Sequence, residues 1–361
     1  MEIGLRVAGT DYPIFWTPDP VAGALMWPNL QAEYTLEGQS WVEVNSSGFR
    51  DHEHQETKPV HEFRIAFLGD SYTEAVQVPF QDAYWNVARR GLKECDALNG
   101  RIPTPLNFGI SGIGTGQQLE MLRKLVWDYD PDLVVLAFVS NDITDNSPAY
   151  GGVGLKPFYF FDDSDEFVLD DSFKTSVDFT RRTSPIINLR RRIIQKSRLL
   201  KLLVEIRASM ARKQSLQSAK SRSGFLNGPP ATDALVEAWR VTEEAISQVA
   251  SDVESRSKDF LLFSVTTGFQ VHPDPAYRHK RLVETGGGDM TYWNSRLAAL
   301  ADRKGIDYVD LVEPLRRHAE SNRVCLHGFD NAVPCGGHWN SEGHRIAGET
   351  LAKSICRKMS D

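Results

Sequence analysis

Apolar positions along the chain fall into two kinds of pattern. Short, nearly continuous runs mark strands buried on both faces, and apolar residues three to four apart mark helices. Phe63–Gly69 (FRIAFLG) is such a run, and a helical stretch follows around Asp82–Ala97. Pro105–Ile110 and Asp132–Val139 (DLVVLAFV) repeat the strand pattern, with a helix near Gln117–Trp127 between them. The alternation resumes with a helix over Asp233–Ser255, a strand over Asp259–Thr266 and a helix over Met290–Arg303. A strand at Ile306–Leu311 and a terminal helix from about Ser341 to Lys358 complete it. Strand and helix alternate five times, which predicts a three-layer α/β/α fold around a five-stranded parallel sheet.

Two stretches stand outside that alternation. Residues 1–60, rich in Trp, Pro and Gly with short alternating pieces such as Ser40–Asn45, read as a β-rich elaboration packed on the core. Residues 145–232 read as an insertion into a single domain spanning 61–361. Within it, Leu155–Asp171 has the Asp-rich turn chemistry of a hairpin. Pro185–Lys213 places Ile186, Leu189, Ile193, Leu200 and Leu203 at helical spacing. Ser215–Pro230 reads as a polar linker.

Charge separates the same two parts. The chain has 361 residues, 41 Lys and Arg against 48 Asp and Glu, and a formal charge of −7, which excludes a protein basic throughout. Residues 181–222 hold thirteen Lys or Arg and one acid, a local +12; the remainder has 28 basic and 47 acidic residues, or −19. Arg190, Arg191, Arg192, Lys196, Arg198 and Lys201 on an amphipathic helix suit an anionic membrane or an acidic polysaccharide. Nucleic acid is not expected, because that segment offers no Trp or Tyr for base stacking and only Phe225 lies close by. No apolar run approaches the ~18 residues of a membrane span. The four cysteines, Cys95, Cys325, Cys335 and Cys356, contain no CxxC pair, and a zinc site is not expected. Two disulfides or four reduced thiols both remain open, and Cys325 and Cys335 bracket a loop able to close on itself.

Four segments carry candidate chemistry. Gly69-Asp70-Ser71 follows the first core strand, which puts the Ser71 hydroxyl at the sheet's carboxyl edge, beside the NH groups of a helix start. Asn107-Phe108-Gly109-Ile110-Ser111-Gly112 follows the second strand and lets backbone approach a ligand. Ser140-Asn141-Asp142 follows the third and offers a carboxamide donor. Gly337-His338-Trp339-Asn340, just before the terminal helix, brings a histidine placed to act as general base, while His344, entering that helix, reads as structural.

In this order the four segments resemble the SGNH hydrolases, the GDSL-type lipases and esterases, over about residues 63–142 and 255–357. The resemblance implies a flavodoxin-like sheet of order 2-1-3-4-5 and a carboxylic ester hydrolase with Ser71 as nucleophile and His338 as base. It also implies an oxyanion hole of the Ser71 and Gly112 backbone NH groups with the Asn141 side chain; neither cofactor nor metal is expected. Deacetylation of a glycan is the expected reaction, with an acyltransferase on the same site as the alternative. The motif surroundings further resemble a bacterial subgroup that often carries an amino-terminal membrane helix followed by Glu-x-x-Leu-Arg. Glu2-Ile3-Gly4-Leu5-Arg6 is similar, which favours a membrane-associated or periplasmic setting over a cytoplasmic one, with Met1 just past an anchor.

Two departures stand out. Val139 occupies the glycine position of the third block. The base is normally preceded by an aspartate three or two residues earlier, where this chain has Cys335 and Gly336. The expected replacements are a backbone carbonyl, Asp330 or another loop carboxylate. With none of them, a binding protein with a weakened site becomes the competing reading.

Overall fold

The computed structural model describes residues 1–151, 154–207 and 226–360. Four short strands, β1 (Trp16–Asp19), β2 (Gly23–Met26), β3 (Gln31–Tyr34) and β4 (Ser40–Glu43), form two antiparallel hairpins at the amino end. The core strands are β5 (Glu62–Gly69), β6 (Ile102–Gly109) and β7 (Leu133–Phe138). A further hairpin, β8 (Phe158–Phe161) with β9 (Phe167–Asp170), follows in the insertion. The core is completed by β10 (Asp259–Ser264) and β11 (Tyr308–Asp310). The central sheet runs β11-β10-β7-β5-β6, with every pairing parallel.

Alternation along β5 shows why its run is apolar at nearly every position. Ile65 and Phe67 join one buried cluster with Tyr84, Trp85, Leu351 and Ile355; Ala66 and Leu68 join the other with Leu119, Trp239 and Leu297. Successive side chains of a strand point to opposite faces, so a strand covered on both sides needs both sets apolar. The first layer contains helices Tyr84–Leu92, Val312–Asn322 and Ser341–Ser360; the second contains Thr115–Lys124, Asp233–Glu254 and Tyr292–Lys304. β5 has β6 on one side and β7 on the other, and the crevice beyond the carboxyl ends of such neighbours is where sheets of this kind bind ligands.

Several sequence expectations shift. Helices Pro275–Glu284 and Val312–Asn322 lie outside the expected alternation, because they are strongly polar and bury three residues at most. The helix expected over Pro185–Lys213 is interrupted at Ser197, which turns extended (φ −116°, ψ 117°), and resumes over 198–207. Part of that stretch, with the rest of the basic run to 222, Phe225 and most of the Ser215–Pro230 linker, lies outside the described residues. The cysteines pair as Cys95–Cys356 and Cys325–Cys335. No helix among the described residues is long and apolar enough to cross a membrane.

The amino-terminal elaboration grips the segment that carries the serine. Buried Arg50 donates to the carbonyls of Ala75 and Val78 (2.7 Å to the latter), and Ser40 Oγ donates to Val76 O at 2.6 Å. Asp51 Oδ2 accepts the Asn107 NH at 2.8 Å, tying the same region to β6.

Candidate active site

Ser71 opens a one-turn helix, Ser71–Glu74, directly after β5. Asp70, not Ser71, caps that helix: its Oδ1 accepts the Tyr72 NH at 3.0 Å. A serine in the cap position would be occupied with this bond; here its hydroxyl is available. Ser71 Oγ donates to His338 Nε2 at 2.7 Å. A longer contact, 3.4 Å, connects it to Asp70 Oδ2.

The other face of the imidazole resolves the missing aspartate. His338 Nδ1 donates to Glu37 Oε2 at 2.5 Å, and the His338 backbone NH donates to Glu37 Oε1 at 2.8 Å. Neither a backbone carbonyl nor Asp330 takes that place; the carboxylate comes from the amino-terminal elaboration, 301 residues away in sequence. Glu37 sits in the turn between β3 and β4, whose pairing ends at Tyr34 opposite Ser40. Gly337 makes the approach feasible. Its φ is +72°, and a Cβ there would lie 2.1 Å from Glu37 Oε1.

The electrostatics follow from this contact. Burial pushes the Glu37 carboxyl up, but the hydrogen bonds and charge of His338 outweigh it and hold the group below its usual range. Burial pushes the His338 imidazole down, and the Glu37 bond and charge, joined by Asp70 and Glu74, leave it above its usual value. Two neighbouring histidines behave oppositely. Burial takes His327 down to about 4 and His344 down to about 3. His327 Nδ1 donates to Gly337 O at 2.8 Å and its Nε2 accepts from Thr266 Oγ1 at 2.9 Å, so it is a neutral support beneath the His338 loop. His344 Nδ1 accepts the Tyr84 NH at 3.2 Å. Tyr72 OH also donates to Gly337 O, at 3.0 Å.

The remaining expected site residues lie around this core. Asn141 lies in the first turn of a short helix, Ser140–Asp145, after β7, and its Nδ2 donates to Asp70 Oδ2 and to Asp145 Oδ2, each at 3.0 Å. Both carboxamide hydrogens are thus engaged by carboxylates. Ser111, next to Gly112, donates through Oγ to Glu74 of the Ser71–Glu74 helix, and Trp16 Nε1 donates to the same carboxylate at 2.7 Å. Burial pushes Glu74 up, against the effect of those donors. Gly112 has φ +79° and open space on its Cβ side. Gly109, by contrast, packs directly on the Thr73–Glu74 backbone. No acceptor among the described residues takes the backbone NH of Ser71 or Gly112. Lys156, from the insertion, lies 3.3 Å from Gly112 O and 4.0 Å from Asp145 Oδ1.

Glu37 is the residue sequence reasoning missed. Leu36-Glu37-Gly38-Gln39 reads as an ordinary hairpin turn, and the only signal was the vacancy at Cys335 and Gly336. The disulfide excludes Cys325 and Cys335 as metal ligands, although His272 lies beside them.

A sequence model of the GDSL-like lipase/acylhydrolase family matches residues 67–346. Among curated proteins, none matches the sequence. Solved structures similar to the chain include a GDSL-like lipase from Bacteroides thetaiotaomicron, 17% identical over 84% of this chain and 92% of that one, with a TM-score of 0.37. Another is a catalytic mutant of an acetylxylan esterase from Geobacillus stearothermophilus, 12% identical over 82% and 94%, with a TM-score of 0.41. A third is a gut microbial diltiazem-metabolizing enzyme, 12% identical with a TM-score of 0.42; 83% of this chain aligns with it and spans about half, 48%, of its length.

Proposed function

This chain belongs to the GDSL-like lipase/acylhydrolase family and is a carboxylic ester hydrolase, and we propose that it removes acetyl or another short acyl group from a carbohydrate-like ester through an acyl-enzyme on Ser71. The observation that carries the mechanism is the continuous line Ser71 Oγ–His338 Nε2 at 2.7 Å and His338 Nδ1–Glu37 Oε2 at 2.5 Å. Glu37 fixes the proton on Nδ1, so that Nε2 presents a lone pair to the serine. His338 then takes the Ser71 proton as Oγ attacks the ester carbonyl, and Glu37 stabilises the imidazolium that forms. The Ser71 and Gly112 NH groups receive the developing oxyanion, and Asn141 joins them by releasing one of its two carboxylate partners. Collapse breaks the ester C–O bond, and His338 returns the proton to the leaving alkoxide. A water deprotonated by His338 attacks the acyl-enzyme carbonyl, the acyl C–Oγ bond breaks, and His338 returns the proton to Ser71 Oγ as the carboxylic acid leaves.

Polar surroundings support a hydrophilic substrate. Asp70, Asn141, Asp145 and Lys156 are linked to one another beside the nucleophile, whereas a fatty acyl chain calls for apolar walls. The test is Ser71→Ala. Turnover of p-nitrophenyl acetate and fluorophosphonate labelling should both vanish with folding intact, and retained esterase activity would overturn the assignment. Product analysis with an acetylated oligosaccharide and an excess of unacetylated acceptor separates hydrolysis from transfer.

We propose also that the basic insertion docks the enzyme on an anionic lipid surface. Ile186, Leu189 and Ile193 share one side of helix Pro185–Lys196 and are 79%, 61% and 54% exposed, with Arg190 and Arg192 exposed beside them. Exposed apolar residues flanked by arginines favour a lipid interface over a polysaccharide, which has no use for the apolar stripe. Lys201 takes no part, being buried and paired with Asp11 at 2.6 Å.

A further inference from the structure

A carboxylate that steers a histidine must itself be held, and Glu37 stands on a short hairpin turn at the protein surface. What grips that turn is a side chain from the opposite end of the chain. Asn331 Oδ1 accepts the Gly38 NH at 2.8 Å, while its Nδ2 donates to Gly38 O at 2.8 Å and to Thr35 O at 3.1 Å. One carboxamide thus bonds the backbone on both sides of Glu37. The grip is specific in shape as well. Gly38 has φ +72°, and a Cβ there would lie 2.3 Å from Gln77 O and 2.8 Å from the Phe329 ring, so the turn is pressed between the nucleophile segment and the Asn331 loop.

The loop bearing Asn331 is closed on itself. The Cys325–Cys335 disulfide joins its ends, Ala332 N donates to Phe329 O at 3.0 Å inside it, and Gly336 N, just past its end, donates back to Val333 O at 3.2 Å. It runs directly into Gly337 and His338. The same closed loop therefore delivers the base at its end and grips the turn of the base's partner at its middle.

We propose that Asn331 is a positioning residue for the esterase reaction, acting through Glu37 to hold its carboxylate against His338 Nδ1. The proposal rests on Ser71, His338 and Glu37 working as a unit. Asn331 touches neither substrate nor the reacting atoms. It lies at the surface, so shortening it leaves no buried cavity.

The experiment compares Asn331→Ala, Glu37→Gln and the double variant by kcat, KM and the pH dependence of kcat/KM with p-nitrophenyl acetate. With Asn331→Ala, kcat should fall roughly 10- to 100-fold at nearly constant KM, the scale of a misplaced catalytic group. The acid limb of kcat/KM should also move to lower pH, because His338 loses the partner that raises its pKa. Added to Glu37→Gln, Asn331→Ala should cost less than about twofold more, since nothing remains to position. Full multiplication of the two losses, or an unmoved acid limb in Asn331→Ala, would overturn the proposal. If Glu37→Gln itself keeps full activity, the underlying triad reading fails first, and that outcome is distinct from an impaired Glu37→Gln beside an unaffected Asn331→Ala.

Discussion

Replacing Glu37 with Gln is the sharpest perturbation, because it keeps the side chain's size and removes only its charge and its acceptor pair. Two bonds now hold the imidazole, at 2.5 Å to Nδ1 and 2.8 Å to the backbone NH. A glutamine keeps one of them. With its carbonyl oxygen on the backbone NH, its NH2 faces Nδ1 and drives the ring proton to Nε2, the atom that must accept from Ser71. With the amide reversed, two NH groups collide at the His338 backbone. A hydrogen bond to a charged group contributes about 1.5–3 kcal/mol. The imidazolium formed during attack also loses a counter-charge ~4 Å away, which is about 4 kcal/mol at an effective dielectric near 20. The two contributions overlap, so the loss in transition-state stabilisation is about 3–5 kcal/mol, or roughly 10²- to 10⁴-fold in kcat. The assay is kcat/KM for p-nitrophenyl acetate across about pH 5 to 9, with circular dichroism to confirm folding. The base must be neutral to act, so wild-type activity should rise with pH through a midpoint above the ordinary histidine value, because Glu37 raises His338. In Glu37→Gln the burial that opposes this raising is left stronger, and the rise should shift to lower pH as the plateau drops. A variant within about threefold of wild type, with an unmoved acid limb, would refute the reasoning.

Three further outcomes are expected. Gly337→Ala places a methyl 2.1 Å from Glu37 Oε1 at a positive φ, so activity should fall as in Glu37→Gln while the fold survives, measured by kcat beside Tm. Asn141→Ala should lower kcat roughly 10²-fold with KM little changed if its carboxamide serves the oxyanion, and steady-state kinetics with a short-chain ester reads this directly. Wild-type protein should co-sediment with phosphatidylglycerol vesicles at low salt and release at high salt, whereas Leu189→Glu with Ile193→Glu should not bind; equal binding to neutral vesicles would remove the electrostatic part of that proposal.

Much of the framework was legible in the residues. A parallel sheet covered on both faces leaves runs such as FRIAFLG and DLVVLAFV, because both side-chain sets of each strand must be apolar. Ser71, Gly112 and Asn141 were locatable because each follows the carboxyl end of a core strand. Val312–Asn322 and Pro275–Glu284 left fainter traces, being solvated helices with a narrow apolar stripe or none buried. The break at Ser197 was invisible because the apolar spacing continues across it, while Glu2 Oε2 accepts both the Ser197 hydroxyl and the Leu199 NH, each at 2.9 Å.

The order of strands and motifs along the chain placed Ser71 and His338, and with them the chemistry proposed for them, since each depends on a strand end or helix start and its adjoining turn. Tertiary structure alone decided what steers the base. A carboxylate needs only to reach Nδ1 in a partly buried pocket, and spatial proximity imposes no spacing on the sequence. Glu37 meets that condition from a hairpin turn 301 residues from His338, with Gly337 yielding room and Asn331 gripping the turn from the far end of the chain. The acidic body and the basic insertion were separable by counting charges. That the amino-terminal elaboration brings a carboxylate to the His338 imidazole emerged only when the chain was folded.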